Sequence, residues 1–118
     1  MEEVKAITRD ELKAKLDSDD GIRVVEALGP AYFEEAHLPG ALNLPHDQVD
    51  KLAPRLIPDK DAEVIVYCSN LACQNSVIVS RRLIQLGYRN VYEYEAGKQD
   101  WIEAGLLVES GPANQQVA

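Results

Sequence analysis

Two cysteines, Cys68 and Cys73, are the residues of this sequence best suited to covalent chemistry. Cys68 directly follows a run rich in β-branched residues at 63–67, EVIVY, which predicts a strand covered on both faces. Residues 69–74 then lead into a helix predicted at 75–86. A thiol at such a junction faces backbone N–H groups and the positive end of a helix dipole, which favour the thiolate. The position suits a nucleophilic sulfur, although a small buried residue that merely ends a strand would occupy it equally well.

The rest of the chain alternates short apolar runs with helical patterns. Besides the two elements above, we predict strands at 23–27, 41–44 and 91–94 and helices at 9–16, 31–36, 47–52 and 98–104. Thr8 and Glu11 have the spacing of a capping box at the start of the first helix. Strands that alternate with helices of this length predict an α/β fold with a mainly parallel sheet and helices on both faces. Ligands of such sheets bind beyond the carboxyl ends of the strands, where Cys68 is expected to lie.

The composition predicts a single folded domain. The chain has 118 residues, of which 46% are hydrophobic and 27% charged, as in ordinary globular proteins. A chain of this length buries about two-thirds of the surface that it exposes when unfolded, so it forms a core without disulfides or metal. We assign residues 1–110 to the domain and residues 111–118 to a polar tail that we expect to be frayed.

The charge pattern argues against nucleic acids and membranes as partners. Twelve Lys and Arg stand against twenty Asp and Glu, for a net charge of -8, and the basic residues are scattered. No apolar run reaches the roughly 20 residues of a membrane span, and the N-terminal residues carry no export signal. We therefore expect the cytoplasm as location. There, Cys68 and Cys73 are expected to be reduced and to have a chemical rather than a structural role.

Four segments, in order, resemble signatures of the rhodanese family. Residues 32–45 (YFEEAHLPGALNLP) are similar to a helix followed by G-H-I-P-G-A-x-N-I-P, and residues 64–68 (VIVYC) to the strand that delivers the family's cysteine. Residues 87–91 (GYRNV) are similar to G-[FY]-x-N-V, and residues 95–101 (EAGKQDW) to [EK]-G-G-x-x-x-W. The resemblance covers residues 5–108. It implies a five-stranded parallel sheet flanked by helices, an active site in the loop after the fourth strand, and Cys68 as the carrier of a persulfide, without cofactor or metal.

The loop after Cys68 departs from the family pattern. Rhodaneses usually have C-x-x-G-x-R-S, whereas eight positions separate Cys68 from Ser76 here, and the intervening residues include no Arg, Lys or Gly. The candidate active-site loop consists of Ser69, Asn70, Leu71, Ala72, Cys73, Gln74, Asn75 and Ser76. It resembles a rhodanese subgroup with C-x4-C-x2-S, in which Cys73 is the second cysteine.

The uncharged loop distinguishes between reaction classes. The related dual-specificity phosphatases use C-x5-R, whose guanidinium holds the phosphoryl oxygens, but the corresponding residue here is Gln74. Thiosulfate, a dianion, would also lack a counter-charge in the loop, whereas backbone N–H groups suffice for a persulfide sulfur. We therefore predict transfer from a persulfide or polysulfide donor, less readily from thiosulfate, to a thiol acceptor. The donor is either a small molecule or a protein.

Cys73 has two interpretations. As a resolving thiol it would attack the Cys68 persulfide, release hydrogen sulfide and leave a disulfide, because a separation of five residues within a turn brings Cα atoms within the roughly 4.4 to 6.8 Å that a disulfide needs. As a structural residue it would be a small apolar side chain packed under the loop.

Three further residues are candidates for supporting the loop. Rhodaneses usually have D-V-R where this chain has Glu26-Ala27-Leu28. Glu26 lies inside a predicted strand, and a buried acid must find hydrogen bonds or have a raised pKa. We expect it to organise the loop rather than act as a base. His37, before a Pro-Gly turn, aligns with a family histidine that is usually structural. In the fold that the rhodanese resemblance implies, Lys98 is the nearest plausible cation for the loop, but a solvated surface lysine is the favoured interpretation.

Two functions from different classes remain. The first is a sulfurtransferase or persulfide carrier acting through Cys68, and the second is a rhodanese-fold interaction or redox-sensing module without catalysis. Histidines and cysteines lack the paired spacing of a zinc site, and Tyr94 and Trp101 are expected to fill the core.

Overall fold

The computed structural model describes residues 4–18 and 21–112. Its strands are β1 (Lys5–Ala6), β2 (Arg23–Glu26), β3 (Leu42–Asn43), β4 (Glu63–Tyr67) and β5 (Asn90–Tyr94). Its helices are α1 (Arg9–Ser18), α2 (Pro30–Glu35), α3 (Val49–Leu56), α4 (Asn75–Gln85) and α5 (Gly97–Glu103). The strands form one five-stranded sheet in the order β1-β5-β4-β2-β3, and every pairing is parallel. The α/β fold with a five-stranded parallel sheet is confirmed.

The central strand β4 is covered on both faces, as its sequence predicts. Val64 and Val66 point into one apolar cluster, with residues of α3 and α4, and Ile65 and Tyr67 point into the other, with Leu12 and Trp101 among its members. All four of these strand side chains are fully buried. Since side chains alternate across a strand, an uninterrupted apolar run can be buried only when helices cover both faces of the sheet.

The sequence analysis did not predict strand β1. It has two residues, paired with Tyr92 and Glu93 of β5, and both of its side chains are exposed. A two-residue strand shows no hydrophobic period, so only its pairing with β5 defines it. Helix α3 also differs from its predicted range, because it continues through Pro54 to Leu56.

Local signals explain where the helices begin and end. The backbone N–H of Thr8 donates to Glu11 (2.9 Å), and the N–H of Glu11 donates to the Thr8 hydroxyl (3.1 Å), which is the predicted capping box. Gly87 follows α4 with φ of 101°, a left-handed conformation that favours glycine after a helix. Residues 113–118, most of the tail predicted to be frayed, lie outside the described residues. No helix in the described part of the chain is long and apolar enough to cross a membrane.

The last strand and last helix enclose the predicted aromatic core. Tyr94 and Trp101 are each 1% exposed, and their rings meet edge to face with centroids 6.3 Å apart. The indole N–H donates to the carbonyl of Leu107 (2.9 Å), so the chain after α5 is held against the same core. This packing positions α5 under the loop that follows β4.

Candidate active site

The candidate site lies at the carboxyl edge of the sheet. Parallel strands end at one edge, and β2 and β4 pair in a register that places Glu26 opposite Tyr67 at their last residues. Cys68 is the next residue after Tyr67 and is 1% exposed. The register therefore brings the buried acid of β2 beside the strand residue that precedes the cysteine.

The loop from 68 to 74 is folded by its own polar groups and presents an apolar tip. The N–H of Ala72 donates to the Asn70 side-chain oxygen (3.0 Å), and the N–H of Cys73 donates to the Asn70 carbonyl (3.1 Å). Leu71, between Asn70 and Ala72, is 73% exposed. An asparagine that bonds the backbone two residues on is typical of a tight turn, so Asn70 turns the chain back from Cys68 towards α4.

Helix α5 supports the start of this loop from below. The backbone N–H groups of Lys98 and Gln99 donate to the carbonyls of Cys68 (2.9 Å) and Ser69 (2.8 Å). Gly97 has φ of 76°, and a Cβ built there would lie 2.7 Å from the Cys68 carbonyl oxygen and 2.9 Å from the Asn70 nitrogen. The loop can lie this close to α5 because residue 97 has no side chain.

The two cysteines are joined by a disulfide, with Cα atoms 6.2 Å apart. That distance lies within the range that a disulfide requires. The expectation of two reduced thiols is therefore not met in this structure. The five-residue separation, with the chain turned back at Asn70, brings Cys73 against Cys68 rather than leaving it as an unbonded packing residue.

Glu26 is fully buried and finds the hydrogen bonds that its position requires. The Tyr67 hydroxyl donates to one carboxylate oxygen (2.6 Å), and the Lys98 ammonium donates to the other (3.1 Å). Burial raises the pKa of Glu26 above its usual value, while the hydrogen bond from Tyr67 and the charge of Lys98 oppose that rise. Burial and the neighbouring Glu26 raise the pKa of Tyr67 well above its usual value.

The interpretation of Lys98 as a solvated surface lysine is wrong. Its side chain is only 12% exposed. Besides Glu26, its ammonium donates to the carbonyls of Tyr32 (3.0 Å) and Ala36 (2.7 Å) at the end of α2. Helix ends leave carbonyls without partners in the helix, and a lysine commonly satisfies them. The sequence could not place the end of α2 beside the start of α5, because the two segments are more than 60 residues apart.

His37 has the contacts of a structural residue. Its ring stacks on Phe33 at a centroid distance of 3.7 Å, and its Nδ1 bonds the Phe33 carbonyl (2.7 Å). Its backbone exchanges two hydrogen bonds of 2.8 Å with Glu109, which forms a bridge to the chain beyond α5. These contacts fix the turn before β3.

Residues 8–104 match the model of the family described as rhodanese-like domain. The chain belongs to the rhodanese-like family. It is 26% identical over 98 residues to the putative sulfur carrier protein YrkF of Bacillus subtilis, covering 83% of this chain and 51% of that protein. It is 30% identical over 107 residues to the HTH-type transcriptional regulator Rv0324 of Mycobacterium tuberculosis, covering 90% of this chain and 45% of the regulator. The chain thus spans about half the length of these relatives.

A solved structure supports the rhodanese-like fold independently. The thiosulfate sulfurtransferase of Pseudomonas aeruginosa superposes with a TM-score of 0.82 at 23% identity, covering 93% of this chain and 21% of that chain. At this identity the likeness concerns the fold.

The sequence analysis missed three residues that support the candidate site. Tyr67 bridges Glu26 and the N–H of Leu38 (3.1 Å), Gly97 admits the loop, and Glu93 accepts a hydrogen bond from Ser76 (2.6 Å) at the start of α4. Gly97 could have been identified from its place in the family motif at 95–101. Glu93 could have been identified because it is a charged residue inside the strand predicted at 91–94. The remaining loop residues Ser69, Leu71, Ala72, Gln74 and Asn75 lie where the rhodanese resemblance implies, between β4 and the first turn of α4.

Proposed function

We propose that this protein is a rhodanese-type sulfurtransferase that carries sulfane sulfur on Cys68 and passes it to a thiol acceptor in the cytoplasm. The observation that carries the proposal is the position of Cys68, directly after the central strand at the ligand-binding edge of the sheet, with its carbonyl held by α5. The match to the rhodanese-like family and the relative named as a sulfur carrier support sulfur transfer in general.

The transfer is nucleophilic covalent catalysis. The Cys68 thiolate attacks the outer sulfur of a donor persulfide, RSSH, whose S–S bond breaks to release the thiolate RS⁻ and leave Cys68–S–SH. An acceptor thiolate then attacks the outer sulfur of Cys68–S–SH, forms the acceptor persulfide and returns the Cys68 thiolate. Each step forms one S–S bond and breaks one, so no external oxidant or reductant is needed.

Cys73 acts in this scheme as a resolving thiol. Its thiolate attacks the inner sulfur of the Cys68 persulfide, expels hydrosulfide and forms the Cys68–Cys73 disulfide. A dithiol reductant then restores both thiols. The 6.2 Å separation of the two Cα atoms supports this role, because the loop needs no rearrangement to bring the sulfurs together.

The loop's chemistry favours persulfide and polysulfide donors over thiosulfate. Residues 69–76 contain no Lys or Arg. The C-x4-C-x2-S spacing supports our proposal that the chain belongs to the rhodanese subgroup with such a loop. Thiosulfate would bring two negative charges into a site without a counter-charge in the loop. We expect glutathione persulfide to be the better donor, with steady-state rates measured for a thiol or cyanide acceptor. Thiosulfate turnover equal to that of glutathione persulfide would contradict this electrostatic argument.

A second candidate function is a redox-sensing or interaction module. Two observations favour it: the Cys68–Cys73 disulfide, and the relative named as a transcriptional regulator. In this function the cysteines report oxidation and no sulfur is transferred.

Sulfur loading of the reduced protein distinguishes the two functions. After incubation with polysulfide and removal of excess reagent, the intact mass of Cys73→Ser should increase by one sulfur atom, and peptide mapping should place that atom on Cys68. In the wild type, the added sulfur should be lost as hydrosulfide wherever Cys73 has formed the disulfide with Cys68. Cys68→Ser should lose loading completely, whereas Cys73→Ser should retain at least part of it and should hold the persulfide longer. Loss of loading only in Cys73→Ser would reverse the assignment. Absence of loading in reduced Cys73→Ser, in which no second thiol can remove the sulfur, would favour the redox-sensing module.

A further inference from the structure

Lys98 lies beside the start of the active-site loop, where its backbone N–H donates to the Cys68 carbonyl (2.9 Å). A cavity of about 300 Å³ beside the loop is lined by Ser69, Asn70, Lys98, Gln99, Ile102 and Glu103. Among these described residues, Lys98 carries the only positive charge. An anionic sulfur donor that enters this cavity would therefore depend on Lys98 for attraction.

The ammonium of Lys98 has no donor left for such an anion. A lysine ammonium has three N–H donors. Those of Lys98 are directed to Glu26, to the Tyr32 carbonyl and to the Ala36 carbonyl, at 3.1, 3.0 and 2.7 Å. Its hydrogen-bonding capacity is thus used within the protein.

The positive charge of Lys98 is also neutralised. One carboxylate oxygen of Glu26 accepts a hydrogen bond from Tyr67 and the other accepts one from Lys98, which is the arrangement of an ionised carboxylate. The negative charge of Glu26 therefore compensates the positive charge of Lys98. Glu26 is fully buried, and water cannot screen its interaction with the ammonium as it would at the surface. The pair Glu26–Lys98 therefore presents no net charge to the loop. The other titratable groups that face Glu26 are Tyr67 and His37.

We propose that Glu26 is a specificity-determining residue, whose carboxylate neutralises Lys98 and thereby disfavours dianionic sulfur donors at Cys68. The proposal rests on the sulfur-transfer function above and identifies its donor class as sulfane sulfur that reacts without a cationic binding site. The conservative change Glu26→Gln keeps the side chain's length and an oxygen for the Tyr67 hydroxyl, but it leaves the charge of Lys98 uncompensated beside the loop.

The effect of an uncompensated cation scales with the charge of the donor. Thiosulfate carries two negative charges and methanethiosulfonate one, and both deliver the same kind of outer sulfur. The Cys68 thiolate attacks that sulfur, and the bond to the sulfonyl sulfur breaks to release sulfite or methanesulfinate, which leaves with the electron pair. We expect Glu26→Gln to raise kcat/KM about tenfold for thiosulfate and roughly threefold for methanethiosulfonate, since the logarithm of the rate change is proportional to charge. Both are measured relative to glutathione persulfide, whose carboxylates are remote from its reacting sulfur.

The test compares four reduced proteins: wild type, Glu26→Gln, Glu26→Asp and the double variant Glu26→Gln/Lys98→Met. Glu26→Asp shortens the acid but keeps its charge, so the ratio of thiosulfate to glutathione persulfide kcat/KM should not rise. The double variant removes both charges and should return that ratio to the wild-type value. Circular dichroism and thermal melts establish that each variant is folded.

Several outcomes would overturn the proposal. One is a folded Glu26→Gln with an unchanged donor ratio, and another is an equal rise of the ratio in Glu26→Gln and the double variant. If Glu26→Gln does not fold, the double variant decides: a fall of about tenfold in its donor ratio would mean that Lys98 serves anionic donors in the wild type. Failure of the wild type to accept sulfur from any donor, including glutathione persulfide, would instead reject the sulfur-transfer function itself.

Discussion

At the scale of single residues, the proposed chemistry depends on the sulfur of Cys68 and on the atom to which that sulfur is bonded. In the disulfide, Cys68 has no thiolate to attack a donor, so the site is closed to sulfur. Cys68 is 1% exposed, whereas Cys73 is half-buried. A dissolved reductant therefore meets Cys73 first, and attack at that sulfur would release the thiolate of Cys68.

We predict that the oxidised protein does not accept sulfur until it is reduced. Mild oxidation of the reduced protein should lower its mass by two hydrogen atoms and yield a Cys68–Cys73 peptide in non-reducing digests. The protein should then gain no sulfur from polysulfide, and a dithiol should restore loading. The matched control is Cys73→Ser, which should remain competent after the same mild treatment or form a mixed disulfide at Cys68. A sulfinic acid on Cys68 with Cys73 still free in the wild type would contradict a resolving role for Cys73.

At the scale of elements, the loop between β4 and α4 has its position set by α5. The contact depends on Gly97, where the chain turns with positive φ directly against the loop backbone. Gly105, two residues after the end of α5, has nearly the same φ of 77° but nothing within 4 Å of the position that a Cβ would occupy. Substitutions at these two glycines therefore distinguish the cost of a side chain at positive φ, which both positions share, from the cost of a clash with the loop, which arises only at Gly97.

We predict that Gly97→Ala and Gly105→Ala differ in their effect on function. Each substitution places an alanine at positive φ, which costs about 1 kcal/mol of stability. Gly97→Ala should lose a further 1 to 3 kcal/mol, an order-of-magnitude range for a steric clash in a packed region, because its Cβ meets loop backbone that cannot move freely. Urea denaturation measures these differences. Sulfur loading should fall strongly in Gly97→Ala and be retained in Gly105→Ala; equal loading in both variants would show that the loop does not require this contact.

Asp100 connects three elements and makes stability dependent on pH. It accepts hydrogen bonds from Tyr94 of β5 and from Arg9 at the start of α1 (3.0 and 3.1 Å). The hydrogen bond from Tyr94, followed by those from Arg9, lowers the pKa of Asp100 below its usual value. A carboxyl whose pKa is lower in the folded state stabilises the protein above its unfolded-state pKa, and this stability is lost as the pH falls through its folded-state pKa.

We predict that Asp100→Asn lowers the free energy of unfolding by about 1 kcal/mol at neutral pH. The difference from wild type should shrink as the pH falls through the folded-state pKa of Asp100, which lies below the usual value of an aspartate, because the wild-type carboxyl then becomes protonated. Urea denaturation of both proteins across this range, with the disulfide intact, measures it. The exposed Asp47 provides a control, because Asp47→Asn also removes one negative charge but leaves the contacts of Asp100 with Tyr94 and Arg9 in place. A constant difference between Asp100→Asn and wild type would exclude the ionised carboxylate as the source of stability.

At the scale of the whole molecule, the net charge of -8 acts on every donor that approaches. Long-range repulsion lowers the encounter rate of anions and is screened by salt, because the Debye length falls to about 8 Å at physiological ionic strength. This effect is independent of the Glu26–Lys98 pair, whose buried contact salt screens much less.

We predict opposite salt dependences for donors of opposite charge. Raising the ionic strength from low to physiological values should increase kcat/KM for thiosulfate roughly twofold or more and decrease it for cysteamine persulfide in its protonated S–SH form, a cation. Stopped-flow or steady-state measurements with both donors on the same reduced protein provide the comparison. A salt dependence of the same sign for both donors would show that net charge does not govern the encounter.

The sequence by itself determined the class of fold and the position of Cys68, the proposed nucleophile, after its central strand. The alternation of apolar runs with helical patterns predicts the parallel sheet. Cys68 follows an apolar run that predicts a central strand, because a strand buried on both faces needs apolar residues at successive positions. The capping box at Thr8 and the helix end at Gly87 are equally local, since each depends on residues within one turn.

Only the tertiary structure decided what surrounds Cys68. The pairing of Lys98 with Glu26 joins residues 72 positions apart, and neither residue's type or neighbours indicate the other. The same holds for the approach of Gly97 to the loop and for β1, whose two residues are a strand only because β5 lies beside them. These contacts depend on strand register and helix packing, which are set by the whole core, whereas hydrophobic period and capping signals report only on the segment that contains them.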